Sequence, residues 1–212
     1  MAEELYAYGN WIIVIIIIAI FLFFATKYLS LRTKKEKISG GMFIAFIIAL
    51  FTEMYGFPLT IYLLSSFFDI SIPLTNLKGH LLATLLSSLG FGNDFVLVVI
   101  VMIISTIFII VGLGYIMEGW KLVYNAKGKL ATKGIYQRMR HPQYTGIYLI
   151  CIGFLIQWPT IITLIMFPFI VMMYYHLAKK EEQAMLNKFP GQYKKYMKKT
   201  PMFIPNAGGV RK

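Results

Sequence analysis

Arg138-Met139-Arg140-His141-Pro142-Gln143-Tyr144-Thr145-Gly146 sets two guanidinium groups, an imidazole and a phenol where a basic stretch gives way to a long apolar one. Far along the chain stands a paired carboxylate, Glu181-Glu182. The sequence from Tyr144 to Leu177 is predominantly apolar, broken by Gln157-Trp158-Pro159. A turn at Trp158-Pro159 folds that stretch into a helical hairpin and returns the glutamates to the side of His141. Glu118, just before the basic stretch, falls on the same side. Such a set suits a small zwitterion carrying a sulfonium. Carboxylates hold its ammonium, Arg and His donors hold its carboxylate, and aromatic faces attract the sulfonium. On this reading the polar groups face a solvated pocket. A salt-bridged network anchoring a C-terminal helix would use the same charges. Attraction of Lys and Arg to one membrane face explains the cations, but not the His-Pro-x-Tyr string or the paired Glu.

The elements that must position these groups are membrane spans. The chain of 212 residues is 58% hydrophobic and only 14% charged, against roughly half and a quarter in soluble domains. Several apolar runs reach the roughly 20 residues that cross hydrocarbon. The expected fold is therefore all-α, a polytopic membrane helix bundle with about five transmembrane helices. Trp11 to Leu31 reads as the first span and Gly40 to Phe68 as the second, kinked at Pro58, with Glu53 in its middle. An ionisable group at that depth is either functional or hydrogen-bonded to a neighbouring helix. Leu77, Leu81, Leu82, Leu85, Leu86 and Leu89 recur at helical spacing and predict a short amphipathic helix at the outer surface, with His80 a surface polar residue. Phe95 to Met117 reads as the third span, and Lys121 to Gln143 as a basic loop. The hairpin supplies two more crossings, and residues 178–200 read as a polar helical stretch interrupted at Pro190-Gly191. Gly112-Leu113-Gly114 lies at the end of the third span; it fits close helix packing or close approach of a ligand to backbone.

Charge orients the bundle. With the N-terminus outside and the C-terminus in the cytoplasm, all but Lys78 of the 21 Lys and Arg residues fall on the cytoplasmic side. The net charge of +12 thus points to membrane lipids as partners rather than nucleic acid, since no aromatic-basic RNA motif accompanies it. One Cys and three scattered His offer no metal-ligand spacing, so no metal is expected.

Arg140-His141-Pro142-Gln143-Tyr144-Thr145-Gly146, Glu181-Glu182, Phe189-Pro190-Gly191-Gln192-Tyr193-x-x-Tyr196 and Pro201 resemble the isoprenylcysteine carboxyl methyltransferase and phospholipid N-methyltransferase superfamily. The resemblance implies S-adenosylmethionine as cofactor, bound at the cytosolic side of the bundle under a C-terminal helix. It implies a lipophilic or membrane-associated acceptor: a prenylcysteine carboxylate, a phospholipid amine or a small thiol. By the same likeness His141, Tyr144, Gly146, Glu181, Glu182, Gly112 and Gly114 bind the cofactor and Arg140 lies at the mouth; with Arg140, the candidates for catalysis are Glu118 and Glu182, carboxylates that the expected topology brings to the same side. The chain then reads as a single membrane domain over 1–212. Residues 1–110 form N-terminal spans of uncertain substrate role, and residues 111–205 the methyltransferase-like region. Membrane sterol reductases, which use NADPH, share an R-H-x-N-Y-like string. Here position 143 is Gln and no acidic residue follows Gly146, so the methyltransferase reading is preferred over the reductase and over a non-enzymatic membrane protein.

Overall fold

A computed structural model describes residues 8–29, 33–68 and 73–205. Its helices are α1 (Trp11–Tyr28), α2 (Lys34–Phe51), α3 (Leu59–Phe68), α4 (Asn76–Gly79), α5 (Leu81–Ser88), α6 (Asp94–Asn125), α7 (Pro142–Gln157), α8 (Ile161–Lys188) and α9 (Pro190–Lys199). A π-helical turn (Thr52–Gly56) follows α2, and a 3₁₀ turn (Gly134–Gln137) precedes α7. No β-strand occurs among the described residues. The fold is the expected all-α polytopic bundle. α1, α2 with its π turn, α6 and α8 are long and apolar enough to cross a membrane. The remaining expected crossing, α7, has 16 residues, about 24 Å at helical rise and short of a hydrocarbon core of about 30 Å. The expected end of the first span at Leu31 lies outside the described residues.

The chain divides into two compact units, and passes between them within α6, α7 and α8. One comprises Met1–Ile107 with Cys151–Ile170, the other Phe108–Ile150 with Val171–Lys212.

In the first unit α2 opens on a capping box, Thr33 Oγ1 accepting from Glu36 N and Glu36 Oε2 accepting from Thr33 N, both at 3.3 Å. Phe43, Phe46, Ile47 and Leu50 of α2 are almost wholly buried. Phe21, Phe51 and Phe154 meet in a cluster with ring centroids 5.4 to 5.8 Å apart. The kink expected from Pro58 takes the form of the π turn, closed by a bond from Phe57 N to Thr52 O of 2.8 Å. Glu53 is consequently not in the middle of a span. It lies beyond the end of α2, in a turn joined to the start of α1 by bonds from Gly9 N to Gly56 O and Asn10 N to Tyr55 O, at 2.9 and 2.8 Å. Its Oε2 accepts from Thr60 N at 2.8 Å, capping an otherwise unpaired donor in the first turn of α3.

The leucine pattern before α6 forms α4 and α5. Leu77, Leu82, Ala83 and Leu86 pack against Leu97, Val98 and Val101 of α6. His80 is buried rather than at the surface. Its Nδ1 donates to the Gln157 carbonyl at 2.8 Å, and its ring meets Trp158 edge-on at 4.9 Å. Burial lowers its pKa, with the Gln157 carbonyl opposing. The Trp158-Pro159 turn is present. Past it, Thr160 and Thr163 cap α8 reciprocally, each backbone N–H donating to the other's Oγ1, at 3.3 and 3.1 Å.

In the second unit α6 runs on through Asn125, so the helix takes up the first residues of the expected basic loop. Nothing from Lys121 to Asn125 breaks a helix; the chain turns at Lys127 and Gly128, both at positive φ. The following loop packs Ile135, Tyr136 and Met139 against Tyr115, Leu122 and Ala131. α8 continues past Leu177 to Lys188, and Pro190 starts α9 as its first residue.

Candidate functional site

His141 immediately precedes α7, and its carbonyl accepts from Thr145 N at 3.1 Å, the first bond of that helix. Pro142 at the first helical position costs nothing, because that N–H has no intrahelical partner. The local sequence thereby fixes His141 at the polar mouth of α7 and sets Tyr144 about one turn on. Glu181 and Glu182 stand near the polar end of α8, and all four side chains converge.

Glu182 Oε1 lies 2.8 Å from Arg140 Nε and 3.2 Å from His141 Nε2. Glu181 Oε2 stands 3.6 Å from the other imidazole nitrogen, Nδ1, and Glu181 Oε1 accepts from the Tyr144 hydroxyl. A carboxylate only accepts, so an imidazole facing one on each nitrogen is best served as a double donor, the imidazolium. Burial of His141 opposes that charge. The hydrogen bonds and charges of Glu181 and Glu182 outweigh it, and the pKa rises above the ordinary histidine value.

The two glutamates are not equivalent. Glu182 is 3% exposed and bound between Arg140 and His141; Glu181 is 39% exposed. His141, at 8%, is buried as well. The solvent exposure expected at all of these positions is therefore confined to Glu181 and, in part, Tyr144, while His141 and Glu182 are buried.

Aromatic rings surround the Tyr144 side of the cluster. Tyr144 lies parallel to His141 (3°, 5.5 Å) and 5.0 Å from Tyr174. Phe203 stands 5.8 Å from His141 and 5.5 Å from Tyr148. The tail holding Phe203 is tied down by bonds from Arg140 N to Pro201 O and His141 N to Met202 O, at 2.9 and 3.0 Å. Thr145 Oγ1 adds a third to Phe203 O at 2.9 Å. Arg140 Nη1 donates to Met197 O in the last turn of α9 at 3.1 Å, where a cation also meets the negative end of the helix dipole. Tyr193 of α9 is buried, and its pKa is pushed up to about 12, first by burial and then by the Glu182 charge. Tyr196 donates to Tyr136 O at 2.5 Å.

The remaining candidates lie elsewhere in the unit. Gly112 and Gly146 pack on each other where α6 crosses α7. A Cβ on Gly112 would stand 2.6 Å from Gly146 O, and one on Gly146 would stand 2.5 Å from Gly112 O. Gly114 is exposed, with nothing within 4 Å of a Cβ there. Glu118 is exposed on α6, with Oε1 3.3 Å from a Cβ built on Gly134. Sequence reasoning did not find Tyr148, Tyr174 or Phe203. Tyr148 is visible in hindsight as a ring four residues after Tyr144, on the same face of α7. Phe203 carries no periodic signal.

Residues 94–192 match the family model described as phospholipid methyltransferase. The chain is also 33% identical over 78 residues to Protein-S-isoprenylcysteine O-methyltransferase B of Arabidopsis thaliana. That match covers 36% of this chain and 40% of the relative's length. No solved structure matches. The Arg140-His141-Pro142 junction and the glutamate pair fall inside the stretch matched by the phospholipid methyltransferase model.

Proposed function

We propose that the chain is an integral membrane methyltransferase that uses S-adenosylmethionine and acts on a lipophilic or membrane-associated acceptor. The acceptor class is a prenylcysteine carboxylate, a phospholipid amine or a small thiol. The observation that carries the reading is the exposed Glu181 carboxylate, held by Tyr144 and facing the His141 imidazole within a ring of aromatic side chains. This donor set fits the cofactor: a carboxylate for an ammonium, a cationic imidazole for a carboxylate, and ring faces for a sulfonium. The methyltransferase name of the curated relative supports the same reading.

When bound, S-adenosylmethionine supplies an electrophilic methyl group on a cationic sulfur. The protein's part is to align the acceptor and exclude water. Tyr144 and His141 orient Glu181, while the buried Glu182 holds Arg140 and His141 in place. The tail over Pro201–Phe203 covers the rings. A carboxylate or thiolate acceptor needs no base; an amine or alcohol acceptor loses a proton, and Glu181 is the exposed carboxylate placed to take it. Arg140 stands at the mouth. Gly114 is the glycine of the pair with open space for a ligand, and Glu118, exposed on α6, is a candidate through the side on which the expected topology puts it.

Thermal unfolding of the purified protein in detergent tests this reading. S-adenosylmethionine, or its demethylated product, should raise Tm through binding linkage, and NADPH should not. Stabilisation by NADPH alone would move the assignment to the reductase class, and stabilisation by neither would leave a structural protein.

The same reading places the site in the cytoplasm, motivated by the distribution of Lys and Arg. Cysteines introduced at Lys35 and Gly128 should be shielded from an impermeant thiol reagent in intact cells, and one at Asn76 should react. Cys151 is buried and contributes no background. Labelling of Gly128→Cys from outside would reverse the orientation and remove the site from the cytoplasmic pool of cofactor.

A further inference from the structure

α9 carries a charge distribution that methyl transfer does not use. Its sequence, Pro190-Gly191-Gln192-Tyr193-Lys194-Lys195-Tyr196-Met197-Lys198-Lys199, holds four lysines and no acid. Tyr193 faces inward, whereas Lys194 and Lys198 are exposed. Spaced four apart, those two lysines share one side of the helix. They line, with Arg140, Leu186 and Met197, a groove of about 470 Å³. No carboxylate lines the groove, and neither lysine has an ion-pair partner among the described residues. Arg140 is already neutralised by Glu182, so the uncompensated charge belongs to the lysines. The walls between them are apolar, one from α8 and one from α9 itself.

Two ammonium groups on a shared face act as point charges suited to a phosphate. Leu186 and Met197 suit an apolar neighbour of that phosphate. We propose that this groove binds a phosphate-bearing anion, the headgroup of an anionic phospholipid whose glycerol and upper acyl region rest on Leu186 and Met197. Bound there, the anion clamps α9 against α8, and α9 in turn holds Arg140 through the Met197 carbonyl. The groove shares Arg140 with the candidate site, but Lys194 and Lys198 take no part in that site, and the proposal does not depend on the methyl-transfer reading.

The experiment uses the full chain in phosphatidylcholine nanodiscs, titrated with phosphatidylglycerol, with bound lipid counted by native mass spectrometry and Tm followed in parallel. The wild-type protein should retain one phosphatidylglycerol and gain Tm. Lys194→Gln/Lys198→Gln should weaken that binding about 30-fold, from the loss of two surface lysines facing an anionic headgroup. Its Tm in phosphatidylcholine alone should be unchanged, because both side chains are exposed. Lys121→Gln/Lys129→Gln, which removes two exposed lysines elsewhere in the same unit, should bind as the wild type does. Inorganic phosphate reproducing the Tm gain at equal concentration would confirm the anion site and assign it to soluble phosphate instead of lipid. Equal lipid affinity in the wild type and Lys194→Gln/Lys198→Gln, or an equal loss in Lys121→Gln/Lys129→Gln, overturns the proposal.

Discussion

Glu182→Gln should destabilise the ligand-free protein by about 3–5 kcal/mol, the cost of removing one partner from a buried ion pair. Arg140 and His141 are 10% and 8% exposed and share a single oxygen of Glu182. A neutral amide in its place leaves a buried guanidinium beside a group that cannot balance its charge. The change should also alter the pH dependence of stability. The folded pKa of His141 is raised, so its favourable contribution is complete below the unfolded value of 6.5 and is lost as pH rises through the folded value. Wild-type Tm should therefore fall across that window, and in Glu182→Gln the fall should be shallower. Glu181→Gln gives the contrast. That carboxylate is 39% exposed, and its loss should cost under about 1 kcal/mol in stability while weakening S-adenosylmethionine by about ten- to a hundredfold. Thermal melts from pH 6 to 9 on both variants, with cofactor titrations, separate the two roles. An unchanged ligand-free Tm in Glu182→Gln would overturn the assignment of Glu182 as the buried support of the site.

The asymmetry within the glutamate pair was not legible in the sequence, although the pair was. The spans, the hairpin turn at Trp158-Pro159 and the return of Glu181 and Glu182 to His141 follow from apolar run length and from one Trp-Pro break. Which glutamate is buried depends on the rotation of α8, and an α8 apolar to Leu177 and polar beyond it gives no periodic cue there. Glu53 was misplaced for a related reason. Composition marks an apolar stretch from Gly40 to Phe68, but Pro58 and the packing of Gly56 on the Trp11 ring, 2.9 Å from a Cβ there, end α2 early and turn the carboxylate into a cap for α3. His80 was read as a surface residue because its partner is a backbone carbonyl distant in the chain. The Pro201–Phe203 tail is likewise held through backbone groups, to which a sequence pattern is blind. What the pattern did specify was residue type: Arg140, His141, Tyr144, Glu181 and Glu182 were singled out together and meet in the fold, while Arg138 and Glu118, singled out with them, are exposed.

Gly112→Ala should lower stability by about 1–3 kcal/mol, the range for forcing extra atoms into a packed interface, and Gly146→Ala should do the same. The obstacles to the new methyl groups are each other's backbone carbonyls, at 2.6 and 2.5 Å, backed by Ile150 and Ile116 Cγ1 at 2.8 Å. A side chain rotates aside; a helix backbone does not. α6 and α7 must therefore separate, as at other small-residue helix crossings in membranes. Once one alanine has parted them, the second has less to displace, so the double variant should cost clearly less than the sum of the two. Tyr144 stands within one turn of Gly146 on α7, and His141 immediately precedes that helix, so the separation should weaken cofactor binding too. Gly114→Ala divides the Gly-x-Gly element. It meets nothing within 4 Å, and alanine is favoured over glycine inside a helix by about 0.8–1.0 kcal/mol. Its Tm should hold or rise. If a ligand approaches the backbone there, Gly114→Ala should lose cofactor affinity while the fold is untouched. Additive losses in Gly112→Ala/Gly146→Ala would show that the two glycines do not share one crossing, and full affinity in Gly114→Ala would remove Gly114 from the cofactor site.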